Sequence, residues 1–165
     1  MKEIYERRSI RKYTDKEISN ENVKKLLKAG MNAPSAHNKK PYDIVVVKNK
    51  ETLNKLADTC IYSHMLKEAN LALVICSKAD NQDTPYWQSD CGAVTENILL
   101  EATSLGIGSC WIGGYPDKEK TDKVKEILNI PNEYEVFCII SLGYPNENRK
   151  PNDNYYEDKV HYEKF

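Results

Sequence analysis

Apolar positions recur along this chain at two periods. Val23, Leu26, Leu27, Gly30 and Met31 follow one another at helical spacing behind Ser19, which reads as an N-cap, and Pro34 ends the run. Leu53, Leu56, Ala57 and Cys60 mark a second helix. Val94, Ile98, Leu99, Ala102 and Leu105 mark a long third one, with Asp90 as its cap and Gly106 as its stop. Val124, Ile127 and Leu128 mark a fourth, capped by Asp117. Between these stripes lie short apolar runs at 42–48, 71–76, 107–112 and 135–142, which predict strands. Residues before Arg11 are expected to form a short helix, and the polar stretch 80–90, broken by Pro85, reads as a loop. Strands alternating with helices predict an α/β or α+β sandwich around one sheet. After Gly143 the chain turns polar until Val160, Tyr162 and Phe165. Such a tail cannot pack on itself and is expected to lie across another surface, such as a second copy of the chain.

At 165 residues the chain is expected to form one domain, residues 1–165, with a real hydrophobic core. Its net charge of −1 gives it no overall attraction to nucleic acid or membrane, so any anion must be held locally. The five cysteines, Cys60, Cys76, Cys91, Cys110 and Cys138, show no Cys-x-x-Cys spacing and sit in apolar stretches. They read as small buried hydrophobes in a reducing compartment, with no metal site. The first residues lack the apolar core of a signal peptide and no run approaches membrane-spanning length, which predicts a cytoplasmic location.

Charge use is uneven. Of 24 basic residues only four are arginine, and Arg7, Arg8 and Arg11 fall in one five-residue stretch around Ser9; the fourth is Arg149. Arginine's planar fork grips phosphate or carboxylate at two points, so this cluster predicts an anion site, against the plainer reading of a solvated basic face. Three further stretches have the makings of a ligand site. Asn32 to Pro41 brackets Ser35 and Asn38 between prolines, either as a plain connector or as a rigid edge for a planar polar ligand. Gly113-Gly114 after the strand at 107–112 is either a tight turn or a place where backbone N–H groups approach a ligand, and it is no Gly-x-Gly-x-x-Gly fingerprint. Leu142-Gly143-Tyr144-Pro145 leads to Arg149 in a proline-bounded segment.

Taken in order, the Arg-Arg-Ser-Ile-Arg-Lys-Tyr start, Pro-Ser-Ala-His-Asn, Trp-Ile-Gly-Gly, and the closing Leu-Gly-Tyr-Pro with Val160-His161-Tyr162 resemble the FMN-dependent nitroreductase family over nearly the whole chain. The resemblance implies an α+β fold with a mostly antiparallel central sheet flanked by helices. It also implies a homodimer that exchanges C-terminal segments and holds FMN at the subunit interface. By position, Arg7, Arg8 and Ser9 would hold the phosphate with Arg149. Arg11 would reach the ribityl chain and pyrimidine edge and tune the flavin electrostatically. Pro34, Ser35, Ala36 and Asn38 would come from the other subunit, and Ile112, Gly113 and Gly114 would line the isoalloxazine near N5. The implied activity is electron transfer from NADH or NADPH through FMN to nitroaromatic, quinone, flavin or similar acceptors, with no catalytic side chain required. His37, His64 and His161 are expected to be structural or solvated.

The chain departs from the family at Lys40 and Tyr42, where Gln and Trp are common; Lys40 adds a positive charge that would favour anionic acceptors. It is also short, which implies an open pocket, with Tyr86 and Trp87 of the 80–90 stretch as a partial lid. Two other functions fit the same residues: a flavin-binding electron carrier or storage protein reduced by a protein partner, and a phosphate-ligand binding module without flavin.

Overall fold

A computed structural model describes residues 1–78 and 85–165. In chain order the elements are α1 (Glu3–Glu6), α2 (Asn20–Met31), β1 (Asp43–Val47), α3 (Lys50–Ala57), β2 (Leu71–Lys78), α4 (Trp87–Ser104), β3 (Gly108–Gly113), α5 (Lys118–Leu128) and β4 (Tyr134–Gly143). Short 3-10 turns cover Ala36–Asn38, Ile61–Lys67 and Glu157–Lys159. The four strands form one antiparallel sheet in the order β1-β2-β4-β3, so the α+β alternative is the one adopted.

Strand alternation sends two sets of side chains to two cores. Leu71, Leu73 and Ile75 of β2 join Cys138, Ile140 and Leu142 of β4 against α2 and α4. Ala72 and Val74 join Val136 and Ile139 against α3 and α5. The register shifts between Ile75 and Cys76, opposite Cys138 and Val136, and this irregularity is why an even- and an odd-numbered β4 residue share the second core. Leu26, Leu53, Leu56, Leu73 and Ile98 are fully buried. Each such side chain contributes about 1.5–3 kcal/mol relative to exposure.

Two of the expected caps are formed. Ser19 Oγ accepts the Asn22 N–H at 3.2 Å, and Asp117 Oδ1 accepts that of Lys120 at 3.2 Å. The third expectation is corrected: α4 begins four residues early, at Trp87 behind Tyr86, and Asp90 lies inside its first turn. Burial drives the extension, since Trp87 is 5 % exposed and packs edge-on to Tyr115, ring centres 5.1 Å apart, and to Phe137 at 6.2 Å. Trp87 therefore belongs to the core and not to a lid. Of the stretch expected as a loop, 80–84 lie outside the described residues.

The N-terminal segment is laid along the outer edge of β3. Ser9 bridges Ser109 in parallel and the Ile10 N–H donates to the Ser109 carbonyl at 2.9 Å. Tyr13 then bridges Pro145, and its buried hydroxyl donates to the Ile10 carbonyl at 2.6 Å. Two glycines make room for this. A Cβ at Gly108 would stand 2.8 Å from Ile10, and one at Gly143 would stand 2.8 Å from the Tyr13 ring. The tail beyond residue 150 is exposed at every position and includes Tyr155, Tyr156, Tyr162 and Phe165. No described helix is long and apolar enough to cross a membrane.

Candidate functional site

Because the N-terminal segment pairs with β3, Arg11 of the first arginine cluster is delivered to the rim of a cavity of about 940 Å³. Its wall is built from Arg11 and Lys12, the turn from Cys60 to Glu68, the end of β3, the start of α5, and Glu147 with Arg149. Arg11 and Arg149, far apart in sequence, thus meet on one surface. Glu147 holds them there. Its Oε1 accepts the backbone N–H of Arg11 at 2.6 Å and of Lys12 at 3.2 Å, while its Oε2 lies 3.0 Å from Arg149 Nη2. The Arg11 N–H, with help from Arg149 and the Lys12 N–H, keeps the Glu147 carboxyl below its ordinary value against a modest opposing effect of burial.

Arg7, Arg8 and Ser9 are not among the residues that line the cavity. Arg7 Nε is 3.4 Å from Glu96 Oε1. Arg8 has a buried Nε with no hydrogen-bond partner. Among the described residues neither Arg8 nor Arg11 has a carboxylate within 4.0 Å, and of the two Arg11 lines the cavity. Burial pushes the Cys110 thiol up, while Arg11, Ser9, Arg149 and Arg7 pull it back. One buried thiol therefore feels the field of three of the four arginines.

The paired glycines have different jobs. A Cβ at Gly113 would meet nothing within 4 Å, so that position leaves the cavity floor flat. A Cβ at Gly114 would stand 2.8 Å from the Val136 carbonyl, so Gly114 is required by backbone packing. Ile112 lines the cavity but is 3 % exposed and joins the second core.

Pro34, Ser35, Ala36 and Asn38 do not line this cavity. They form a turn whose backbone is strained: His37, Asn38 and Lys40 have φ of 51°, 56° and 50°. Each left-handed non-glycine residue costs about 1–2 kcal/mol, a cost that persists only where the surroundings enforce it. Asp90 enforces it, its Oδ1 accepting the Ala36 N–H at 2.9 Å, and the Ser35 hydroxyl accepts the Lys40 N–H at 2.9 Å.

Cys60, Lys120 and Glu147 line the cavity without having been singled out from sequence as site residues. Cys60 is a correction: four cysteines are buried as expected, but Cys60 is only part-buried and faces the cavity. It closes a helical apolar stripe, which hides the fact that the helix stops at Ala57 and turns its last position outward. Lys120 is 6 % exposed and its ammonium donates to the Gly113 carbonyl. Nothing in the lysine-rich stretch 118–125 separates it from its neighbours.

An antiparallel α+β sheet protein with a glycine-floored cavity rimmed by arginines from both chain ends is, as a class, suited to a planar ligand bearing an anionic group. The family model described as "Putative TM nitroreductase" matches residues 1–164, and the chain belongs to that nitroreductase family. It is 44% identical to the "Putative NADH dehydrogenase/NAD(P)H nitroreductase" of Archaeoglobus fulgidus, over 100% of this chain and 98% of that protein. It superposes with a TM-score of 0.93 on an FMN-dependent nitroreductase from Clostridium difficile R20291, 36% identical and covering 99% of this chain and 98% of that one. A "putative nitroreductase in complex with fmn" from Desulfovibrio desulfuricans gives a TM-score of 0.83 at 27% identity, covering 99% of this chain and 96% of that one.

Proposed function

We propose that this protein is an NAD(P)H-dependent FMN oxidoreductase of the nitroreductase type, acting on nitroaromatic, quinone, flavin or similar acceptors. The observation that carries the reading is the convergence of Arg11 and Arg149 on one cavity floored by Gly113. The residues present suit FMN. Arg8 and Arg11 have no carboxylate partner among the described residues, and Arg8 Nε is orphaned while buried, a costly state that an anionic group relieves. Arg7, Arg8, Ser9 and Arg149 would hold the phosphate, Arg11 the polar edge of the ring system, and Gly113 and Ile112 its flat face. Bound FMN supplies hydride transfer between the nicotinamide and the acceptor. The protein's part is to bind, orient and bias charge, with Arg11 favouring electron-rich forms of the ligand by a charge-assisted contact of about 1.5–3 kcal/mol.

The working unit is a homodimer. The tail places Tyr155, Tyr156, Tyr162 and Phe165 in solvent on its own chain, and the strained turn at 34–38 stands away from the cavity. Both facts suit a partner that receives the tail and offers its own turn to the neighbouring cavity.

The test is the purified protein itself. It is expected to be yellow or to take up FMN on titration, and to oxidise NADH or NADPH anaerobically by reducing the flavin. Arg11→Ala is expected to keep the fold and raise the Kd for FMN roughly 10- to 100-fold. A colourless protein without FMN uptake overturns the cofactor; a yellow protein that neither nicotinamide reduces makes it an electron carrier instead.

A further inference from the structure

We propose that Cys60, activated by Lys120, is a covalent-capture site for soft electrophiles, quinones and other activated alkenes, that enter the cavity.

The site is built by two elements from opposite sides of the cavity. Cys60 opens the Ile61–Lys67 turn, and its sulfur accepts the Tyr62 N–H at 3.2 Å. Ser63 is fully buried, and its hydroxyl has no hydrogen-bond partner. From α5 comes Lys120, nine-tenths buried, which lines the same cavity as Cys60 and whose ammonium donates to the Gly113 carbonyl. Among the described residues no carboxylate lies within 4.0 Å of that ammonium. A buried cation without an anionic partner is costly, and one that also lines a cavity is poised to stabilise negative charge arising there. The remaining titratable groups at this end are Tyr62, His64 and Glu68 on the turn, Tyr115 after β3 and Asp117 at the α5 cap.

The balance of effects separates Cys60 from its fellows. Burial pushes its thiol up, but Ser63, the Tyr62 N–H and Lys120 together bring it below the ordinary value. Burial wins at the other four. Cys76 and Cys138 are pushed up to about 12, and Cys91 and Cys110 are raised in the same direction. Thiolate is the nucleophile, and only Cys60 combines thiolate character with access.

The step is a conjugate addition. The sulfur lone pair forms a bond to the alkene carbon β to a carbonyl, the π pair moves onto the carbonyl oxygen, and that oxygen takes a proton from Lys120 or solvent. With a quinone, the ring proton at the attacked carbon then moves to the second carbonyl oxygen, giving a thioether-substituted hydroquinone. No group leaves and no outside oxidant or reductant is consumed.

This inference does not rest on the flavin reading, because it is read from the mass of the protein. Purified protein, carrying whatever flavin it holds and with no nicotinamide added, is treated with N-ethylmaleimide or 1,4-naphthoquinone across a neutral to alkaline pH series and followed by intact mass and peptide mapping. One fast adduct is expected, at Cys60, forming at least about tenfold faster at neutral pH than at any other cysteine. The midpoint of its pH profile is expected below the ordinary thiol value of about 8.5. Lys120→Met should slow the reaction roughly tenfold and move the midpoint up, while Lys120→Arg keeps it low. First labelling at another cysteine, a wild-type midpoint at or above the ordinary value, or an unchanged rate in a folded Lys120→Met protein overturns the proposal. If Lys120→Met does not fold, the wild-type midpoint and the loss of the fast phase in Cys60→Ala decide it.

Discussion

Glu147 does more for the site than any residue the chemistry-bearing motifs contain. One carboxylate fixes the backbone at Arg11 and Lys12 and holds Arg149 beside them. Its contacts span 136 positions of sequence, and a lone glutamate in a polar tail carries no local mark of such a role. Its charge makes the tether sensitive to pH. The folded carboxyl sits below its unfolded value, so its stabilising effect is complete above the unfolded carboxylate range near about 4.3 and is lost as pH falls through the depressed folded value. Glu147→Gln is expected to cost about 1 kcal/mol at neutral pH, by chemical denaturation, with the gap to wild type closing on acidification. A gap that stays constant down to acid would show that the carboxylate's charge is irrelevant.

At the scale of elements, local signals were readable wherever local energetics decide. Ser19 and Asp117 cap helices because a side-chain oxygen there meets a free N–H three residues on, a purely local bargain. Asp90 looked equivalent and is not: burial of Trp87 extends α4 backwards and frees Asp90 to hold the strained turn at Ala36, 54 residues away. The pairing of the arginine segment with β3 is likewise tertiary, and it depends on two missing side chains. Gly143→Ala places a methyl group 2.8 Å from the Tyr13 ring. It is expected to cost about 1–3 kcal/mol in denaturant and to loosen FMN retention together with the fold. Full stability in this variant would show that the segment shifts freely.

For the whole molecule, the sheet and its two flanking helix layers follow from the apolar periods, and the family from four motifs in order. The cavity's inner end does not, because Cys60 and Lys120 meet only after α3 and α5 have packed on one face of the sheet. The tail belongs to this scale as well. Truncation at residue 150 is expected to give a folded monomer by light scattering where the full chain gives a dimer; a dimer that survives truncation would remove the exchanged tail from the account.

The convergence of residues 11, 60, 113, 120 and 149 on one surface also sets an order of events in synthesis. The arginines that emerge first from the ribosome must wait for β3, and then for Arg149, before their shared surface exists. A nascent or interrupted chain carries the positive charges without the receptacle, so loading of a ligand reports that synthesis has passed Arg149.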